Sequence, residues 1–231
     1  MIQLYTWPTP NGHKLHIMLE ECGLEYNVHP IDIGKGDQFD PAFLKISPNN
    51  KMPAMVDPEG PDGKPYSLFE SGAILMYLAE TTGQFMPEAT AARYLVIQWL
   101  MFQMGTVGPM LGQVHHFRNY APEPMPYAVD RYTNEGRRIY NVIDKRLSEV
   151  EYLAGDYSIA DMATFPWVRL HERQGVDLDE LPNFVRWLEA IKARPAVQRG
   201  LEVLAEERRK PEGMDEKAKE FLFGATQYQR H

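Results

Sequence analysis

The alternation of strand and helix signals stops near residue 80, and this change constrains the fold more than any other feature of the 231-residue chain. Before it, short β-branched and aromatic runs alternate with turns and amphipathic stretches. After Pro87, long apolar stripes recur at helical spacing, without the period-two pattern of strands. The pattern predicts an α/β domain with some parallel strands, followed by an all-helical bundle.

The first domain is predicted to run βαβ and then ββα. Leu15, Met18, Leu19 and Cys22 share one face of the helix after the first strand, and Gly23 suits the end of that helix. A turn-rich stretch at residues 57–63 makes a hairpin of the two strands beside it. The predicted strands are residues 2–5, 26–33, 54–56 and 66–69, and a helix continues from Ser71.

The second half is predicted to contain helices alone. Ser158 and Asp161 have the spacing of a capping box, so a buried helix is expected to begin at Ser158. Pro182 and Pro195 suit the first turns of two later helices. The predicted apolar stripes are Leu95, Trp99 and Phe102; Gly136, Tyr140, Ile143, Leu147 and Val150; and Phe184, Trp187, Leu188 and Ile191. The predicted domain bounds are residues 1–86 and 87–205, with a tail at 206–231.

The tail divides by composition into two parts. Residues 206–213 are charged, and we expect them to be mobile. Phe221, Leu222, Phe223 and Tyr228 are too apolar to stay fully solvated. We expect these four to pack back onto the body of the protein or onto a partner.

Charge and cysteine usage narrow the class of protein. A net charge of −8 argues against a general nucleic-acid or anionic-membrane binder, because such a protein needs a basic face. The start of the chain lacks the pattern of a secretory signal, and no apolar run approaches membrane-spanning length, so a cytoplasmic protein is expected. A single cysteine, Cys22, excludes an intrachain disulfide and a Cys-x-x-Cys redox or zinc site.

Two short segments carry the main functional signal. Pro53 stands at the start of a short strand, and X-Pro bonds are where cis peptides occur, so the backbone of Met52 can point outward and pair with an extended ligand. Glu70 and Ser71 stand at the start of an apolar helix, where unpaired N–H groups and the positive end of the dipole attract a carboxylate. Together the two segments indicate a clamp for a small zwitterionic peptide.

These features resemble the cytosolic glutathione transferases, over roughly residues 1 to 205. The resemblance implies a thioredoxin-like N-terminal domain, a C-terminal helical bundle, a homodimer and a glutathione site at the domain boundary. Four segments are similar to the nu-class proteins, which are glutathione-dependent disulfide-bond oxidoreductases. They are Pro8-Thr9-Pro10-Asn11-Gly12-His13-Lys14, Gly34-Lys35-Gly36-Asp37-Gln38-Phe39, Ile46-Ser47-Pro48-Asn49-Asn50-Lys51-Met52-Pro53 and Gly108-Pro109-Met110-Leu111-Gly112-Gln113.

The resemblance also implies a role for each matching residue. Gln38 would contact the glycine end of glutathione, the Met52 backbone the cysteinyl unit, and Glu70 and Ser71 the γ-glutamyl group. Thr9 and Asn11 would face the sulfur as the catalytic residues. Arg131 would reach a glutathione carboxylate, in the family across the dimer interface. The full predicted glutathione-binding set is Gln38, Lys51, Met52, Pro53, Glu70, Ser71 and Arg131.

The chemistry at the sulfur requires a thiolate. A free thiol is only a few per cent ionised near neutrality, and one or two hydrogen bonds of roughly 1.5–3 kcal/mol would make it mostly thiolate. Tyr5 is expected to pack against a sheet face, and Cys22 is expected to be a packing residue near the C-terminal end of its helix, where the dipole disfavours a thiolate. Thr9 also has a plain structural interpretation, as a turn or helix-cap residue.

The leading hypothesis is a disulfide-bond oxidoreductase that uses the thiol of bound glutathione instead of a protein cysteine. Its expected partners are small thiols and disulfides and a second copy of the chain, with no metal, nucleic acid or membrane. One alternative is a glutathione transferase or peroxidase that acts on electrophiles or hydroperoxides. Another is a non-catalytic binding module, since folds are reused without their chemistry.

Overall fold

A computed structural model describes residues 1–208 and 215–228. The chain forms two compact units. The first comprises Met1–Leu75 and the described residues from Arg199 onward, and the second comprises Met76–Gln198. The domain bounds predicted from the sequence are a different division and stay a prediction.

The first unit contains a four-stranded sheet with the order β2-β1-β3-β4. Strands β1 and β2 are parallel, whereas β3 is antiparallel to both β1 and β4. This is the predicted βαβ-ββα arrangement of a thioredoxin-like domain. The strands are β1 (Ile2–Thr6), β2 (Tyr26–Pro30), β3 (Ala54–Asp57) and β4 (Tyr66–Phe69).

Helix α1 (Pro10–Cys22) shows why this sequence forms a helix here. Thr9 caps it, Pro10 opens it, and Gly23 ends it in the left-handed conformation at φ 63°. Leu15 is fully buried, as the apolar stripe predicts. Cys22, predicted to pack in the same stripe, is only partly buried, because it is the last residue of the helix. The other helices of this unit are α2 (Pro41–Leu44), the first turn of α3 (Ser71–Thr82), and later α11 (Glu216–Phe223).

The second unit is helical, as predicted. Short 3₁₀ or π segments separate some of its helices. The α-helices of this unit after α3 are α4 (Thr90–Phe102), α5 (Gly108–His115), α6 (Pro126–Leu147), α7 (Ile159–Val168), α8 (His171–Gln174) and α9 (Pro182–Lys192). Helix α10 (Pro195–Glu202) begins in this unit and continues into the first. No helix among the described residues is both long and apolar enough to cross a membrane.

One predicted apolar stripe is only partly buried. In α4 the fully buried positions are Val96 and Leu100, whereas Leu95, Trp99 and Phe102 are partly exposed. Apolar residues occupy nearly every position of this helix, so periodicity does not select one face. The stripe around Phe184 and Trp187 in α9 is buried as predicted.

The capping box at Ser158 is confirmed. Its hydroxyl accepts the N–H of Ala160, and Asp161 accepts the N–H of Ser158 at 3.0 Å. Asp161 also accepts the N–H of Leu153 at 2.9 Å and the ring N–H of Trp187 at 2.8 Å. The fully buried carboxylate therefore joins the start of α7 to α9.

Candidate functional site

The sheet register brings the predicted site segments of the first unit to one end of the sheet. Thr6 at the end of β1 pairs with Pro30 at the end of β2, and Tyr5 pairs with Ala54 at the start of β3. Ala54 in turn pairs with Phe69 at the end of β4. The β1–α1 bend, the loop after β2, the Met52-Pro53 segment and the Glu70-Ser71 segment therefore all leave the sheet at the same end.

Thr9 lies in the bend between β1 and α1. Its hydroxyl accepts the N–H of Gly12 at 3.3 Å and donates to the sulfur of Met52 at 3.7 Å. The helix-cap interpretation of Thr9 is therefore confirmed, but the hydroxyl proton remains directed at a sulfur on the neighbouring segment. Asn11, in the first turn of α1, is partly exposed.

The bend requires a glycine behind Thr9. A Cβ on Gly12 would lie 2.0 Å from the carbonyl oxygen of Trp7 and 2.7 Å from the hydroxyl of Thr6. Any other residue would move the start of α1 away from the strand. Gly12 therefore fixes the position of the Thr9 hydroxyl.

Met52 and Pro53 immediately precede β3. Their peptide bond is cis, as the sequence suggested. Pro53 is buried, and Met52 packs against Ile31, Phe43 and Ala54. The backbone of Met52 lies before the first paired residue of β3, Ala54, and its side-chain sulfur contacts Thr9.

Glu70 and Ser71 form the start of α3. Glu70 has a φ of 71°, a left-handed conformation that costs a non-glycine residue about 1 kcal/mol or more and that occurs often at functional sites. Its carbonyl accepts the N–H of Ile74 at 3.0 Å, and its side chain is exposed. Ser71 is 5% exposed, so the pair combines an open carboxylate with a shielded hydroxyl.

Lys14 is a site residue that the sequence reasoning missed. It is 1% exposed on α1, and its ammonium donates to the hydroxyl of Ser71 at 3.2 Å. Burial lowers the pKa of Lys14 to about 7, and the nearby charge of Glu70 opposes part of that shift. One signal was available, because Lys14 lies four residues before Met18 and so shares its helix face.

Gln38 and Lys51 both contact the C-terminal segment. Gln38 is 3% exposed, and its amide nitrogen donates to the carbonyls of Ile33 at 3.3 Å and Phe221 at 3.5 Å. Among the described residues, the side-chain oxygen of Gln38 has no hydrogen-bond partner. The Lys51 ammonium donates to the side-chain oxygen of Gln227 at 2.9 Å, and partial burial lowers its pKa.

The remaining candidates are Tyr5 and Arg131. The ring of Tyr5 stacks on that of His29 at 4.6 Å between centroids, so its interpretation as a sheet residue is confirmed. Arg131 is an exposed residue of α6 in the second unit, and its role stays a prediction. Within residues 1–208 and 215–228, no three His, Cys, Asp or Glu side chains are grouped to hold a metal ion.

Two family models match this chain. The N-terminal domain of glutathione S-transferase matches residues 1–80, and the C-terminal domain of glutathione S-transferase matches residues 114–195. The first match contains every predicted site residue except Arg131, which lies in the second.

Relatives agree with both matches. Disulfide-bond oxidoreductase YfcG of Escherichia coli (strain K12) is 53% identical over 203 residues, which cover 87% of this chain and 94% of that protein. A glutathione transferase family member from Pseudomonas fluorescens with two glutathione bound is 50% identical, with a TM-score of 0.83 and coverage of 87% and 92% of the two chains.

A second solved structure holds the oxidised ligand. A glutathione transferase from Pseudomonas putida, with one glutathione disulfide bound per subunit, is 48% identical, with a TM-score of 0.85. The match covers 88% of this chain and 91% of that one. The family models, these relatives and the thioredoxin-like sheet lead to one conclusion: the chain belongs to the glutathione S-transferase family.

Proposed function

We propose that the chain is a glutathione-dependent disulfide-bond oxidoreductase whose reactive thiol belongs to glutathione. The observation that carries the proposal is the place of its single cysteine. Cys22 ends the 13-residue helix α1, whereas the Thr9 hydroxyl lies before the start of that helix. At 1.5 Å per residue the two ends are about 18 Å apart, so thiol chemistry at Thr9 must use a thiol from the ligand.

The binding mode follows from the groups at the end of the sheet. The Glu70 carboxylate suits the γ-glutamyl ammonium, and the Ser71 hydroxyl suits the γ-glutamyl carboxylate. The Met52 backbone and Pro53 border the cysteinyl unit, while Gln38 and Lys51 supply donors for the glycyl carboxylate. Lys14, which donates to the Ser71 hydroxyl, favours a carboxylate at this subsite when its amine is protonated.

At the sulfur, Thr9 and the start of α1 act together. A hydroxyl donor and the positive end of the helix dipole both stabilise an anion, so they lower the pKa of a thiol placed beside them. Asn11 is the second candidate donor in the same turn. The Thr9 hydroxyl donates to the Met52 sulfur at 3.7 Å, a weak acceptor that a thiolate would replace.

The reaction proceeds by two thiol–disulfide exchanges. One glutathione thiolate attacks the disulfide R–S–S–R, a glutathione–S–S–R bond forms, and the released thiolate takes a proton from water. A second glutathione thiolate then attacks the glutathione sulfur of that mixed disulfide and releases the second R–SH. Two glutathiones lose two electrons in total and become glutathione disulfide, and the substrate gains the same two electrons.

Several finer features belong to the proposal. The enzyme acts as a homodimer in the cytoplasm, with Arg131 of one protomer reaching a glutathione carboxylate of the other. Its substrates are small disulfides, and its co-substrate is glutathione, without a metal. The relative with two bound glutathiones and the relative with bound glutathione disulfide support glutathione as the co-substrate.

The test compares kcat/KM for a small symmetric disulfide, a hydroperoxide and an aryl halide on one preparation. We expect the disulfide to be the preferred substrate. Dominance by the halide or the hydroperoxide would instead indicate a transferase or a peroxidase. If calorimetry detects binding of neither reduced nor oxidised glutathione, the chain is a non-catalytic module.

Two variants test the source of the thiol. Cys22→Ala is expected to keep most of the disulfide reductase activity, whereas Thr9→Val, which is nearly isosteric but lacks the hydroxyl, is expected to lose most of it. Loss of activity in Cys22→Ala with unchanged folding would reject the cysteine-free mechanism.

A further inference from the structure

Within the first unit, the C-terminal residues contact the Met1–Leu75 part in two different ways. At residues 199–200 the contact is tight: Arg199 pairs with Glu20 at 2.7 Å, and a Cβ on Gly200 would lie 2.8 Å from the backbone nitrogen of Ile17. Residues 215–228, which we call the C-terminal lid, rest on the surface instead. Tyr228 is 84% and Phe223 37% exposed, and Ala218 is the single buried residue of the lid.

The lid is attached at one aromatic ring. The ring of Phe221 lies 6.4 Å from that of Phe39, between centroids. It also covers Gly36, where a Cβ would lie 3.0 Å from the ring. Gly36 has a φ of 88°, so glycine provides both the loop conformation and the room for Phe221.

Beside that ring, carbonyl oxygens of the lid accept hydrogen bonds from Gln38 and Lys51. The proposed function assigns these two donors to the glycyl carboxylate of glutathione. The backbone carbonyl of Phe221 accepts from the Gln38 amide, and the side-chain carbonyl of Gln227 accepts from the Lys51 ammonium. The side-chain amide of Gln227 donates back to the carbonyl of Phe221, which holds the two acceptors together. Two adjacent carbonyl oxygens thus face one amide donor and one cation.

A carboxylate presents the same two acceptors with a full negative charge. At Gln38 a carboxylate replaces a neutral hydrogen bond by a charge-assisted one, which is roughly twice as strong, and at Lys51 it replaces a neutral acceptor by an ion pair. A glycyl carboxylate can therefore displace the carbonyls of the lid. The contact at this subsite is also weak enough to exchange, since it consists of one ring contact and two hydrogen bonds, of which the one from Lys51 lies at the surface.

We propose that the C-terminal lid is a built-in competitor for the glycine end of the site, which glutathione displaces when it binds. The inference rests on the proposed function, because that function assigns Gln38 and Lys51 to the glycyl carboxylate. A ligand that ends at its cysteinyl unit leaves the lid closed. The lid therefore distinguishes glutathione from shorter γ-glutamyl thiols and slows the entry of the full tripeptide.

The test compares two ligands on full-length proteins. The double variant Phe221→Ala/Gln227→Ala loosens the lid, and Tyr228→Ala is the matched control on the same segment. Calorimetry with reduced glutathione is expected to give a Kd about tenfold lower for the double variant than for the wild type, because one apolar contact and one hydrogen bond no longer oppose binding. The Kd of γ-glutamylcysteine for the double variant is expected to change by less than about twofold from the wild-type value. In Tyr228→Ala, the Kd values of both ligands are expected to change by less than about twofold.

Hydrogen exchange gives a readout that a purely structural tail would not move. In the wild type, glutathione is expected to speed exchange of the amides in Glu216–Phe223, and γ-glutamylcysteine to leave it unchanged. Three outcomes would overturn the lid proposal while the proposed function stands. They are equal changes in the Kd of the two ligands for the double variant, a weaker affinity of the double variant for glutathione, and slower amide exchange in Glu216–Phe223 when glutathione binds. Absence of binding by both ligands to all three proteins would reject the proposed function and the lid together.

Discussion

Two helices of this chain begin with a serine hydroxyl and a nearby carboxylate, but the two starts differ in what their polar groups contact. At α7, Asp161 is fully buried and accepts hydrogen bonds from Leu153, Ser158 and Trp187. At α3, Glu70 is exposed, and Ser71 is held from behind by Lys14. The first carboxylate is occupied by the protein itself, whereas the second is open to a ligand.

The difference shows that residue type and spacing do not separate a structural cap from a binding site. The burial of the side chain and the identity of its hydrogen-bond partners distinguish the two. A buried carboxylate is retained because several donors satisfy it, so its removal unsettles the fold. An exposed carboxylate on a left-handed residue contributes little to stability and is free to bind.

The largest expected effect is on stability at α7. Asp161→Ala leaves the donors of Leu153, Ser158 and Trp187 unpaired in the interior, so the free energy of unfolding should fall by about 3 kcal/mol or more. Urea denaturation measures it, with the exposed Asp156→Ala as the control. A loss below about 1 kcal/mol would mean that this carboxylate is not the structural hub described above.

The next effect is on catalysis at the bend. Thr9→Val should lower kcat/KM for a small disulfide by about ten- to a hundredfold, because a hydrogen bond to a thiolate is worth roughly 1.5–3 kcal/mol. Thr9→Ser keeps the hydroxyl and should stay within about threefold of the wild type. If the two variants lose equal activity, Thr9 acts as a helix cap alone.

A smaller effect is expected at the start of α3. Glu70→Gln should weaken glutathione binding about tenfold, since it removes the charge that pairs with the γ-glutamyl ammonium. Its free energy of unfolding should change by less than about 0.5 kcal/mol, in contrast to Asp161→Ala. Calorimetry and urea denaturation provide the two values, with the exposed Glu59→Gln as the control. A Glu70→Gln variant that unfolds easily but binds normally would reverse the comparison.

The subtlest test uses pH and Lys14. Burial lowers the pKa of Lys14 from 10.5 to about 7, so between these pH values the unfolded chain binds more protons than the folded one. The contribution of Lys14 to stability therefore rises with pH across that window, by at most about 1.4 kcal/mol per pH unit. Lys14→Met should lack this rise, which urea midpoints measured at about pH 7 and about pH 9 would show. Parallel profiles for the two proteins would contradict the buried position of this ammonium.

Sequence reasoning recovered the features that depend on local pattern. The βαβ-ββα order, the helical second unit and the capping box at Ser158 follow from periodicity and short-range spacing, and the structure confirms all three. Phe221 was expected to pack back, and it does, but Tyr228 remains exposed. Residues 209–213, five of the eight residues expected to be mobile, lie outside the described part of the chain.

Features that depend on contacts between distant residues were beyond local pattern. The buried Lys14 donates to the hydroxyl of Ser71, 57 residues later, and an isolated helix gives no sign of that contact. The contact between Gln38 and Phe221 joins residues 183 positions apart. The buried positions of α4 were missed for another reason. A helix that is apolar on several sides shows no preferred face, so its sequence does not indicate which face is buried.

The backbone of Glu70 carries a consequence for how this protein can change over generations. A glycine would adopt the φ of 71° found at Glu70 without strain. Replacement of Glu70 by glycine should therefore raise the thermal stability of the domain while it removes the carboxylate. Selection for thermal stability alone would therefore favour variants that have lost the Glu70 carboxylate and, with it, ligand binding. Retention of an acidic side chain at this position would mark descendants in which the ligand still matters.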